Sequence, residues 1–364
     1  MDGNWKPAER AVITYIFEDD KVLLIVKKRG LGKGKVNAPG GRIEKGETPV
    51  QAAVRECQEE IGLTPEDPVL VGTLDFAFAD GYSLGGYVFK ATSYSGTLAE
   101  TDEADPFWCP VSEMPYDRMW ADDRLWLPAL LDGKYFSGQF TFDGDSMTSG
   151  GIQVFDKKKK ILCYGSSSTW GYDWQGGGRF DEETRWPCVM KKYIPACFEV
   201  TEDGVCGRTV LNYMPGDEPT NGIQALEKRT DLAEYDGVMI MLGNNDTMAS
   251  SEVSVAAIAD GMGTMAEILR AKNKNIRIFL TAPVPISTNC NEDDLFFSFF
   301  ESQVNKSRSL PAEIMRVAEK YGCTFIEAGR FVSCDGTDGI HFDGPANRYL
   351  GLCFADFINR TEWN

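Results

Sequence analysis

Short apolar runs alternate with acidic or glycine-rich turns along the first half of the chain. Val12–Ile16 and Val22–Val26 read as strands joined by a Glu-Asp-Asp turn, since bulky apolar residues bounded by turn formers favour extended backbone. Strands are also expected near Val69–Phe78 and Gly86–Ala91, and the alternation in Phe136–Phe142 predicts another. The polar, Gly-rich stretch Gly144–Gly151 reads as a loop, and Lys157–Lys160 as a solvated linker edge. Beyond it the pattern changes. Ile161–Tyr164, Val238–Met241, Ile276–Leu280 and Thr324–Ile326 are short apolar runs, separated by helical patterns at Ser254–Lys272, Pro311–Tyr321 and Pro345–Ile358. Strands alternating with helices imply βαβ units and a parallel sheet. Two domains are therefore expected, an α+β domain over residues 1–156 and an α/β domain over 157–364.

One predicted helix carries unusual chemistry. Thr48 can cap it, Pro49 suits its first position, and Gly62 suits its stop. Glu56, Glu59 and Glu60 stand at i, i+3 and i+4, so they project from neighbouring positions of one helical face. Like charges so spaced repel by a few tenths of a kcal/mol per pair. A hard divalent cation, which prefers carboxylate oxygen, removes that repulsion. The turn-forming run Asn37-Ala38-Pro39-Gly40-Gly41 precedes the helix.

The segment Gly41–Leu63, with Gly41, Glu47, Arg55-Glu56, Glu59-Glu60, Gly62 and Leu63 at fixed spacing, resembles the Nudix box; Cys57 takes one of its bulky apolar positions. The resemblance covers about residues 8–156. Asn37, Lys27 in the basic run Lys27–Gly34, and Trp120-Ala121-Asp122-Asp123 make it similar to the MutT-type branch that hydrolyses oxidised purine nucleoside triphosphates. It implies a mixed sheet sandwiched by helices and metal-assisted attack of water on a nucleoside triphosphate, giving a monophosphate and pyrophosphate. Glu56, Glu59 and Glu60 would hold Mg²⁺ or Mn²⁺, with the Gly41 carbonyl and Glu103 as further ligands, Glu59 and Glu60 as candidate catalytic residues with the choice of general base left open, and Arg55 orienting Glu47 or its neighbours. Lys27, Asn37, Trp120, Asp122 and Asp123 would bind the nucleotide, Trp120 stacking on the base while amide and carboxyl groups read its edge. Leu31, Val36 and Pro39 depart from the branch, standing where larger aromatics often occur.

In the second half the lone histidine, His341, lies in Asp338-Gly339-Ile340-His341. Ile161–Tyr164 runs into Gly165-Ser166-Ser167, and Val238–Met241 into Leu242-Gly243-Asn244-Asn245-Asp246. Both turns fall at the carboxyl ends of parallel strands, where open α/β sheets bind ligands. With Gly204–Thr209 between them, the blocks resemble those of the SGNH, or GDSL, hydrolases over about residues 158–364. The resemblance implies a three-layer α/β/α fold that hydrolyses a small acyl ester without a cofactor. Ser167 would be nucleophile, His341 its base and Asp338 the orienting acid, with Ser167, Gly207 and Asn245 supplying the oxyanion hole. Ser166 replaces the family's Asp. Acyl transfer to an alcohol is the alternative to hydrolysis.

Composition narrows the function classes. The net charge of −18 argues against non-specific nucleic-acid binding. No apolar run approaches the roughly 20 residues that span a bilayer, and the first residues show no signal-peptide pattern, so a cytoplasmic location is expected. The ten scattered cysteines then read as reduced, buried thiols. Nothing in the sequence sets an oligomeric state. Two hydrolytic sites in one chain is the leading expectation; the alternative keeps one domain as a binding or scaffold module.

Overall fold

The computed structural model describes residues 6–363 apart from 212–219, 250–251 and 290–300. It divides into two compact units: Met1–Lys158 with Lys192–Cys197 and Asp356–Glu362, and Lys159–Lys191 with Phe198–Ala355 and Trp363–Asn364.

The first unit is built on an eight-stranded mixed sheet. Its strands run, side by side, Ser146–Phe155, Tyr135–Asp143, Val69–Phe78, Ser83–Ala91, Glu9–Glu18, Lys21–Lys27 and Val36–Asn37, with Ala104–Pro110 also paired to Lys21–Lys27. Alternation along Lys21–Lys27 decides what it packs against. Leu23 and Ile25 join Cys57 and Ile61 of the helix Pro49–Ile61, while Val22 and Leu24 face the opposite cluster with Trp126 and Leu127 of the helix Asp123–Leu131. The sheet is thus covered on both faces. Pro49–Ile61 begins and ends where its capping residues predict. The Thr48 hydroxyl accepts from the Gln51 N–H, the Gln51 side chain accepts from the Thr48 N–H, and Gly62 closes the helix at φ 74°.

Three local expectations are corrected. Gly144–Gly151 is not a loop beyond its first residues: Ser146–Phe155 is a strand antiparallel to Tyr135–Asp143. Its exposed polar side chains hide the pattern, and cross-strand pairing, including Thr141 to Thr148 hydroxyls at 2.8 Å, supplies the order. Lys159 and Lys160 likewise start a strand, Lys159–Gly165, held by Asp236 (3.2 Å) and Glu234 (2.6 Å) respectively. Finally, Pro311 lies inside the helix Glu301–Tyr321. Val304, Leu310, Ile314 and Val317 form one continuous buried stripe across the proline, and their burial outweighs the ~3 kcal/mol cost of an interior proline.

The second unit carries a five-stranded parallel sheet in the order Phe198–Gly204, Lys159–Gly165, Gly237–Met241, Arg277–Ala282 and Thr324–Glu327. Helices Val255–Lys272 and Glu301–Tyr321 bury its apolar side, with Met262, Met265, Ala266, Leu310 and Ile314 on Leu162, Val238, Ile240 and Leu280. Register does the positioning. Gly165 pairs with Gly204 on one side and Met241 on the other, so these strands end level and the three following turns share one edge of the sheet. Among the described residues no helix is long and apolar enough to cross a membrane. Of the nine described cysteines six are buried and Cys206 is exposed, so burial holds for most rather than all.

Candidate functional sites

In the first unit, the Gly40-Gly41 turn lies against the helix Pro49–Ile61. A Cβ on Gly41 would fall on the Glu56 carboxylate, so only glycine lets the backbone come this close. Glu60 is 1% exposed; it accepts from the Gly40 N–H (2.9 Å) and from Lys27 Nζ (3.0 Å). Arg55 binds Glu47 through two hydrogen bonds (2.7 and 2.9 Å) and also reaches Glu56 (2.8 Å), Glu59 (3.0 Å) and the Arg42 carbonyl (2.9 Å). Burial raises the Glu56 carboxyl above its ordinary range, against the pull of Arg55 and with the help of the Glu60 and Glu59 charges. Arg55 and the backbone of Glu44 hold Glu47 below its ordinary range despite the opposing effect of burial.

The three helical carboxylates do not share one environment, as their spacing had suggested. Glu60 points inward, Glu56 is half-buried and Glu59 is exposed beside Arg55. A helix turns about 100° per residue, so i, i+3 and i+4 straddle the boundary between core and solvent. Glu103 pairs with Arg29. Among the described residues no three His, Cys, Asp or Glu side chains are gathered closely enough to hold an ion. The donor chemistry nevertheless fits a hard divalent cation: an all-oxygen set in which the half-buried Glu56 carboxyl is raised by burial and then by its acidic neighbours, and a glycine admits the main chain.

Beside this turn opens a cavity of about 430 Å³. Lys27, Arg29, Gly40, Gly41 and Glu103 line it together with Asn37, Trp120, Asp122 and Asp123. Leu74, Phe76, Phe78 and Phe142 complete an apolar wall that sequence reading did not assign; they belong to strands whose inward face is known only once the sheet is formed. Trp120 meets Phe142 edge-on at 5.7 Å and carries Lys35 over its ring at 4.6 Å. Asp122 Oδ2 accepts from Trp126 Nε1 (3.0 Å), and Asp123 Oδ2 accepts from the Trp120 N–H (2.9 Å). Both aspartates are buried, and burial raises both carboxyls; the neighbouring Asp122 charge pushes Asp123 well above the ordinary range. The Asn37 amide oxygen accepts from the Ala38 N–H (2.9 Å).

In the second unit, Ser167 opens the four-residue helix Ser167–Trp170 directly after the strand Lys159–Gly165. His341 arrives on the loop before the helix Gly344–Arg360. Its Nε2 lies 2.8 Å from Ser167 Oγ and its Nδ1 2.6 Å from Asp338 Oδ2. Asp338 Oδ1 accepts from the N–H groups of Ile340 (2.9 Å) and His341 (2.8 Å). Burial works to raise the Asp338 carboxyl, but the His341 hydrogen bond and charge and these two amides together hold it below its ordinary range. Tyr172 packs on the imidazole at 4.6 Å between ring centroids, a contact without a sequence signal. Gly207 sits in a turn at φ 79°. Asn245 donates to the Arg208 carbonyl (2.9 Å), and the buried Asp246 accepts from the Val210 and Leu211 N–H groups (2.8 and 2.9 Å). Asp246, which ends the Leu242–Asp246 block, thus anchors the neighbouring turn, a role its sequence position does not signal. Gly204 permits the close approach of the Ser167–Trp170 helix, because a Cβ there would strike the Trp170 backbone. Ser166 makes no side-chain capping bond to that helix.

Two family models match the chain: NUDIX domain over residues 7–130, and GDSL-like Lipase/Acylhydrolase family over residues 163–348. The chain belongs to both families. The Nudix half is 42% identical over 133 residues to an oxidized purine nucleoside triphosphate hydrolase of Danio rerio, covering 36% of this chain and 85% of that protein. A protein of the same description from Mus musculus is 36% identical over 146 residues, covering 40% of this chain and 94% of that one. The esterase half is similar to the solved structure of Est24, a carbohydrate acetylesterase from Sinorhizobium meliloti (29% identity, 55% of this chain, 98% of that chain, TM-score 0.50). It is also similar to the inhibitor-bound aryl esterase of M. smegmatis (31% identity, 55% and 98% coverage, TM-score 0.50). The chain is therefore an enzyme with two hydrolase domains, a Nudix domain and a GDSL-type esterase domain.

Proposed function

We propose that the Nudix half hydrolyses nucleoside triphosphates, with preference for oxidised purines, to a monophosphate and pyrophosphate. The observation that carries this reading is the continuity of one cavity from Lys27, Gly41 and Glu103 to Trp120, Asp122 and Asp123. A base at the Trp120 end places its phosphates toward the acidic turn. Trp120 and the phenylalanine wall take the faces of the base. Burial and the Asp122 charge raise the Asp123 carboxyl and so favour its protonated form, in which the pair offers one donor and one acceptor to the purine edge. Glu56, Glu60 and the Gly41 carbonyl, with Glu59 and Glu103 as further candidates, would hold Mg²⁺ or Mn²⁺. When bound, such an ion neutralises phosphate charge and acidifies water. Arg55 orients Glu47, Glu56 and Glu59 through its hydrogen bonds and favours the ionised form of Glu47, and Lys27 brings a positive charge to the phosphate end.

The esterase half, in the same proposal, cleaves a small acyl ester. Ser167 Oγ attacks the carbonyl carbon as its proton passes to His341 Nε2, and Asp338 stabilises the imidazolium. That proton leaves with the alcohol, and water releases the acid by the same route in reverse. The Ser167–His341–Asp338 contact chain supports this reading. The test compares wild type with Glu60→Gln and Ser167→Ala, supplying Mg²⁺ with 8-oxo-dGTP, or p-nitrophenyl acetate. Glu60→Gln should remove pyrophosphate release alone, and Ser167→Ala nitrophenol release alone. Either activity surviving its own substitution refutes that half of the proposal.

A further inference from the structure

Arg208 is a buried arginine, 4% exposed. Its Nε is buried without a hydrogen-bond partner, a cost that an apolar replacement would remove. Its guanidinium lies 4.1 Å from the Tyr164 ring centroid, and Nη1 donates to two carbonyls, Asp203 (2.7 Å) and Gly165 (3.2 Å). Nη2 donates to Asp203 Oδ1 (2.8 Å), and Arg229 holds the other oxygen of that carboxylate.

Three turns meet at this one residue. The Gly165 carbonyl belongs to the strand end two residues before Ser167. Gly207 is the immediate neighbour of Arg208 in the chain. The main-chain carbonyl of Arg208 receives the Asn245 amide at 2.9 Å. Of the proposed oxyanion donors, the Asn245 amide is tied to residue 208 by one hydrogen bond and the Gly207 N–H by chain adjacency, while the Ser167 N–H follows two residues after the Gly165 carbonyl that Arg208 holds. None of the Arg208 side-chain hydrogen bonds goes to Ser167 or His341.

We infer that Arg208 is a positioning residue that sets the mutual geometry of the oxyanion donors, through its side-chain bond to Gly165 and its main-chain bond from Asn245. This rests on the reading of Ser167 as nucleophile. It supplies the anchoring that Ser166, standing where the family has Asp, does not give the nucleophile turn. Preorganised donors act on charge that develops only in the transition state. Loosening them lowers kcat without weakening ground-state binding.

The experiment measures kcat and KM for p-nitrophenyl acetate, and inhibition by a phenylboronic acid that forms a tetrahedral adduct, in Arg208→Met, Arg208→Lys and Asp203→Asn. Losing a whole donor costs about 10²–10³ in kcat; displacing donors in Arg208→Met should cost about 10- to 100-fold, with KM within about twofold. Boronate affinity should fall by the same factor as kcat/KM, and Arg208→Lys should retain part of the rate. If Arg208→Met does not fold, Arg208→Lys and Asp203→Asn carry the same comparison. Undiminished kcat in the folded variants, or a loss confined to KM with boronate affinity intact, overturns the inference. Ser167→Ala separates it from the nucleophile assignment. Cleavage retained there sinks both, whereas cleavage lost there but undiminished in the Arg208 variants sinks the inference alone.

Discussion

Replacing Asp338 by Asn changes only which atom faces His341, and the structure says which way the amide settles. Asp338 Oδ1 accepts two backbone N–H groups, at 2.9 and 2.8 Å, while Oδ2 accepts from His341 Nδ1 at 2.6 Å. Asn can keep its oxygen on the two amides and turn Nδ2 to the imidazole, or do the reverse. The reverse leaves two N–H donors without an acceptor, at about 1–3 kcal/mol each in a mostly buried site. The first arrangement only moves the imidazole proton from Nδ1 to Nε2. Nε2 then donates to Ser167 Oγ and cannot take its proton. The same substitution in serine-protease triads lowers kcat about 10⁴-fold, which is about 5 kcal/mol of transition-state stabilisation. Nitrophenyl acetate turnover should fall by a comparable factor with an unchanged circular dichroism spectrum. A folded Asp338→Asn enzyme within about tenfold of wild type would show that the dyad geometry is not used, refuting the tautomer argument.

Two further outcomes are expected. Burial and the Asp122 charge raise the Asp123 carboxyl, so the native state binds its proton more tightly than the unfolded chain does. Stability contributed by that proton is then lost as pH rises from about 4 through the native value, and Asp123→Asn should gain Tm relative to wild type progressively over that range; parallel curves would contradict the raised carboxyl. Thr48→Ala should cost about 1 kcal/mol by removing the cap and its reciprocal Gln51 bond, read by chemical denaturation, and no change would mean that the cap is dispensable.

What was legible in the chain was whatever acts over a few residues. Thr48, Pro49 and Gly62 mark a helix because caps and left-handed stops are satisfied locally. Buried runs such as Ile161–Tyr164 announce strands because both sheet faces need apolar side chains. Ser146–Phe155 was not legible, since its exposed polar residues are ordered by a neighbouring strand rather than by burial. Pro311 misled for the reverse reason: a local breaker was overruled by a long buried stripe.

The sites divide along the same line. Residue identity alone nominates the candidate groups: the carboxylates of one helix, a serine after a strand, and His341 as the single available imidazole. Block order and spacing also indicate which residues belong together. How they meet depends on packing between distant segments. Ser167 and His341 are 174 residues apart in the chain, and parallel-strand register with the loop before the last helix brings them to 2.8 Å. The inward turn of Glu60, the raised Asp122–Asp123 pair and the phenylalanine wall follow from burial, a property of the packed sheet and not of any short segment. Arg208 is the extreme case: an arginine in a short turn whose inferred role exists only because three distant segments end on one edge of a sheet.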